Sequence, residues 1–86
     1  MNEAEFNRVQ SLMRDRASYK NSIQQLETAK VYVQFKTPAG YDVPVPLSRE
    51  TMEQIRQDIV SDVRRSLWGK VHAIEHDLRN VYKMEL

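Results

Sequence analysis

The sequence predicts an α+β fold, a long helix, a β-hairpin and a longer helix in that order, forming one domain over residues 1–86. Two observations predict it. Residues 31–47, VYVQFKTPAGYDVPVPL, alternate apolar and polar side chains and hold all three prolines and one of the two glycines. The stretches on either side contain no proline and repeat their apolar residues at helical spacing. The two helices leave the hairpin from the same end, so they are expected to lie antiparallel.

The first helix is placed at residues 3–28. Val9, Leu12, Tyr19, Ile23 and Leu26 recur three and four apart, with Phe6 and Met13 on the same face. In heptad terms Val9, Arg16 and Ile23 take one core position, and Leu12, Tyr19 and Leu26 the other. Arg16 is a charge in the middle of an apolar stripe. It reads either as an anchor for an acidic partner or phosphate, or as a stem packed on the core with its guanidinium reaching water.

Within residues 31–47, Val31, Val33 and Phe35 point one way, and Tyr32, Gln34 and Lys36 the other. Tyr41, Val43, Val45 and Leu47 form the matching apolar face, which is expected to lie over the helices. Pro38 suits the second position of a turn and Gly40 accepts a positive φ, so Thr37–Gly40 is the loop. Pro44 and Pro46, two apart, remove two N–H donors from one edge of the second strand. That edge is blocked and the outer edge of the first strand is open, to a second copy of the chain or to a target peptide.

The second helix is placed at residues 48–83. Ser48 is the N-cap, Leu47 and Met52 form a hydrophobic staple, and Glu50 and Glu53 complement the dipole. Met52, Ile55, Ile59, Val63, Leu67 and Val71 fall mostly four apart, so this stripe wraps around the helix. From Leu67 the pattern becomes a heptad: Leu67, Val71, Ile74, Leu78, Val81. Gly69 lies at the change of period and marks where a bend would fall. Trp68 sits roughly 120° off the stripe at about 100° per residue, facing outward as a candidate partner-binding residue.

The second helix is longer than the first by roughly 16 Å at about 1.5 Å per residue. If both start level at the hairpin, Ile74, Leu78, Val81 and Tyr82 have no cover within their own chain. Self-association, as a dimer, through Leu67, Val71, Ile74, Leu78, Val81 and Tyr82 is therefore expected, with Lys70 and Glu75 able to pair between chains.

Composition narrows the function. Thirteen Lys+Arg against twelve Asp+Glu leave a formal charge of +1, which demands neither nucleic acid nor an anionic membrane. With no cysteine there is no disulfide, thiol nucleophile or Cys-based zinc site. No segment resembles a signal peptide or membrane span, so a cytoplasmic location is expected. His72-Ala73-Ile74-Glu75-His76 spells H-x-x-E-H and resembles the inverted zinc-protease motif. Both histidines leave the apolar stripe, however, and the chain offers no domain for a third ligand and a substrate groove. No phosphate-binding loop or nucleophile elbow is present.

The helix–hairpin–helix order resembles prefoldin-type chaperone subunits in shape alone. The expectation is a small non-enzymatic, homo-oligomeric adaptor or regulatory module of the phage accessory type, without metal or cofactor. Its partner protein would meet Trp68 or the open strand at Tyr32, Gln34 and Lys36. The alternative is a nucleic-acid-binding regulator that gathers Arg8, Arg14, Arg16, Arg64 and Arg65 by dimerisation.

Overall fold

A computed structural model describes all of residues 1–86 as two antiparallel helices joined through a small antiparallel hairpin, 57 × 29 × 16 Å overall. Helix α1 spans Glu3–Leu26 and α2 spans Arg49–Asn80, with β1 at Phe35–Lys36 and β2 at Asp42–Val43. Each helix is slightly shorter than the sequence predicts, and the strands are much shorter.

Side chains define both helix starts. The Asn2 carboxamide oxygen accepts from the Glu5 N–H at 2.8 Å, satisfying one donor of the first turn of α1. Ser48 does the same for α2, its Oγ accepting from the Thr51 N–H at 3.1 Å. Helix α2 then runs without a break through Gly69. At its far end Lys83 adopts a left-handed backbone with φ of 57°, and the Met84 N–H donates to the Leu78 carbonyl at 2.8 Å. This turn brings Tyr82 and Met84 back onto the helical pair.

The heptad stripe of α1 is the face that packs. Val9, Leu12 and Ile23 are buried, and Arg16, Tyr19 and Leu26 are half-buried. Phe6, expected beside them, is more than half exposed. The core closes where Val9 and Leu12 meet Ile74 and Leu78, with Met13, Tyr19, Tyr82 and Met84 packed around them.

That core corrects the expected offset of the helices. Ile74 and Leu78 are covered within their own chain, Leu78 completely, and Tyr82 packs beside them. Of the predicted oligomerisation residues, Val71 is fully buried too, Leu67 is half-buried, and Val81 alone is mostly exposed. The helices do not start level: α1 is displaced toward the C-terminal end of α2, and the overhang lies at the N-terminal end of α2. An extended chain makes this possible. After a tight turn at Glu27 and Thr28, residues 29–34, at about 3.3 Å each, can span the first three turns of α2, which rise only about 1.5 Å per residue. Arg56 holds the start of that segment, donating from Nε to the Ala29 carbonyl at 2.9 Å and from Nη2 to the Glu27 carbonyl at 3.2 Å.

The hairpin turn forms as its residues require. Gly40 has φ of 92°, its N–H donates to the Thr37 carbonyl at 2.9 Å, and the Thr37 N–H donates to the Tyr41 carbonyl at 2.8 Å. Phe35 pairs with Val43 and Lys36 with Asp42, which puts Phe35 and Val43 on one face as predicted. That face does not lie over the helices. Neither strand packs on either helix, and Phe35, Val43 and Val45 remain exposed. The chain before β1 is drawn against α2, so the ladder closes after two pairs.

Truncating the seam separates the two possible homes of these residues. Leu12→Ala and Leu78→Ala should each cost about 2–5 kcal/mol in urea denaturation, independent of protein concentration, because both leave a cavity inside one chain. Val81→Ala should stay within about 0.5 kcal/mol of wild type.

Candidate interaction surfaces

Arg16 is explained by a partner in its own chain. From α1 its Nε and Nη2 both donate to the same Glu75 carboxylate oxygen on α2, at 3.0 and 2.8 Å. The two side chains are only 22% and 14% exposed, so the pair sits in the seam rather than on the rim. This hydrogen bond holds the Glu75 carboxyl below the usual carboxylate range, against a smaller opposing effect of desolvation, with Lys20 and Arg79 adding favourable charge. Lys70 is also occupied, its ammonium 5.4 Å from the centre of the Tyr19 ring. Lys70 and Glu75, the residues expected to pair between chains, thus each make a contact within one chain. Both groups face α1 because the offset of the helices brings Arg16 and Tyr19 opposite them.

The same geometry dismembers the H-x-x-E-H segment. Glu75 is turned into the seam, His72 stacks on Trp68 with ring centroids 5.6 Å apart, and His76 Nδ1 lies 3.9 Å from Asp77. No three His, Cys, Asp or Glu side chains are grouped to hold a metal ion.

Two surface features remain. The first is on the outward side of α2, where Arg65, Trp68, Gly69 and His72 line an open depression. Trp68 is 37% exposed, and a Cβ built on Gly69 would meet no atom within 4 Å. Packing within the chain therefore gives no reason for glycine there, although glycine in a helix costs about 1 kcal/mol relative to alanine. Its effect is to leave the ground beside the indole flat.

The second is the hairpin. On its polar face the same Asp42 Oδ1 accepts from Gln34 at 3.1 Å and pairs with Lys36 at 3.0 Å. Tyr32 stands free at 86% exposure. Of the candidate residues, Gln34 and Lys36 thus meet on Asp42, Tyr32 borders a groove with Arg49, Met52 and Arg56, and Trp68 lies 19 residues, about 28 Å of helix, beyond the start of α2. The candidate basic residues are dispersed. Arg8 borders a groove with Asp15 and Asp77, Arg16 is engaged by Glu75, Arg65 lies 3.7 Å from Asp62, and Arg14 and Arg64 are exposed on different helices. Sequence reasoning overlooked Arg56, the clamp on the turn that follows α1, because its partners are backbone carbonyls with no residue signature.

Compared with family models, curated proteins and solved structures, the chain matches none.

The ion pair has a definite pH signature. Because the folded-state pKa of Glu75 is lowered, its contribution to stability is complete above the unfolded carboxyl's pKa of about 4.3 and fades as pH falls through the lower folded value. Glu75→Gln should lower Tm at pH 7 and flatten its fall between about pH 5 and pH 3, as followed by circular dichroism. Replacing Arg16 and Glu75 together by methionine should cost less than either single change, since no lone charge is left in the seam.

Proposed function

We propose that this chain is a small non-enzymatic protein-interaction module, adaptor or regulator, that self-associates and engages a partner protein. The observation that carries this reading is where the apolar surface lies. Seven of 86 residues are buried, all aliphatic, while Phe35, Val43, Val45, Ile59, Val63 and Trp68 each keep more than a third of their surface open. A core that small is marginal for a chain of this length, and a second copy would supply the missing burial. Self-association then belongs to the hairpin and the middle of α2, since the heptad residues Ile74 and Leu78 are already used within the chain.

The partner surface is the depression around Trp68. A rigid indole backed by His72, a guanidinium from Arg65 and the bare backbone at Gly69 combine the residue types that dominate interface energies with a surface that admits close approach. Nothing in this arrangement needs a bound cofactor, and the role rests on shape and burial rather than on bond chemistry.

Light scattering in the micromolar range should return at least twice the mass of one chain; a single-chain mass throughout would overturn self-association. Gly69→Ala should raise stability by about 0.5–1 kcal/mol, because it removes a helix-interior glycine and meets no neighbour. The same substitution, like Trp68→Ala, should reduce recovery of the partner in affinity capture without changing the oligomeric mass. Undiminished capture by both variants would remove this surface from the proposal.

A further inference from the structure

We infer that the outer edge of β1 is the self-association edge, pairing antiparallel with β1 of a second copy to give a closed four-stranded sheet in the order β2-β1-β1-β2. This rests on the self-association proposed above and names its geometry.

The direction of each backbone group follows from the hairpin register. The Thr37 N–H donates inward to the Tyr41 carbonyl at 2.8 Å, and Phe35 with Val43 form the next inward-facing pair. By alternation, Gln34 and Lys36 direct their N–H groups away from β2; on the other side Asp42 is the outward position of β2, and Pro44 is the next one, just past the end of the strand. Proline has no N–H, so Pro44 cannot donate to a further strand, and Pro46 repeats the deletion two residues on. On β1 the corresponding groups are intact. The sheet has only two strands, neither of which packs on a helix, so that edge is open.

An edge pair of this kind can assemble in only one closed way. A two-fold axis joins the open edge to its own copy, and each outer strand of the resulting sheet runs directly into Pro44 and Pro46, which stop it from lengthening as a template. Addition of a third copy is thereby blocked, which gives a dimer rather than a fibre. Avoidance of like charge selects the register. A two-fold through Lys36 would oppose two ammonium groups, whereas one through Phe35 sets Phe35 against its copy and Lys36 against the second copy's Gln34. Asp42 then lies on the other flank of Lys36, with which it already pairs at 3.0 Å. On the opposite face Val43, the two Phe35 rings and the second Val43 form one apolar band. Four strands also pass the threshold below which an isolated hairpin is marginal.

The test compares two proline variants. Lys36→Pro removes the N–H that would reach the second copy, and Asp42→Pro places proline on the edge that is already blocked. Both delete the Lys36–Asp42 ion pair, so its loss cancels in the comparison. In sedimentation equilibrium, Lys36→Pro should give the mass of one chain and Asp42→Pro the wild-type mass, with helical circular dichroism retained by both. Gln34→Pro, the other outward position on this edge, should match Lys36→Pro and covers the case in which that variant folds poorly. A wild-type mass for both Lys36→Pro and Gln34→Pro would overturn the edge pairing and leave self-association standing. Loss of mass by Asp42→Pro as well would also overturn it, by tracing the effect to hairpin integrity. A single-chain wild type would overturn both readings.

Discussion

Val9 and Leu12 of α1 pack on Ile74 and Leu78 of α2, and this contact sets how far one helix slides along the other. Once these four side chains meet, the C-terminal half of α2 is covered and its N-terminal turns are not. The chain leaving α1 must then run back along those turns before it can form a hairpin. Arg56, donating to the Ala29 and Glu27 carbonyls, ties that return in place. The length of the hairpin follows from the same constraint, because residues drawn against α2 are not free to extend β1.

Polar contacts reinforce the offset instead of opposing it. Arg16 reaches Glu75 and Lys70 reaches Tyr19, so two charges inside or beside an apolar stripe find partners only at this register. A slide by one helical turn, about 5.4 Å, would leave Arg16 and Glu75 largely desolvated and unpaired. Apolar packing supplies affinity between the helices, and the ion pair restricts where they can stop. The histidine-rich segment is caught up in this arrangement, with its glutamate turned inward and its histidines left on the outer face.

The apolar residues that the seam does not absorb are concentrated on the hairpin and the middle of α2. They are spread over an elongated molecule, 57 Å along its longest dimension. Gly69 belongs with them. It weakens a helix without easing any contact inside the chain.

Much of this architecture was legible in the sequence. The periodicity of α1, the caps at Asn2 and Ser48, the Thr37–Gly40 turn and the facing of Phe35 with Val43 all depend on short-range geometry, which neighbouring residues encode. Asn2 as a cap escaped notice, although its type and position carry the signal. The offset of the helices was not legible: a stripe of Val, Leu and Ile fits another stripe at several registers, and which one wins depends on all contacts at once. Everything decided by that offset therefore came only from the tertiary structure. It includes the burial of Ile74 and Leu78, the pairing of Arg16 with Glu75, the role of Arg56 and the exposure of the hairpin face. The hairpin's asymmetry lies between the two. Proline's missing N–H and the edge it falls on are written in the spacing of Pro44 and Pro46, but only the structure shows that the ladder ends at Val43, before either proline.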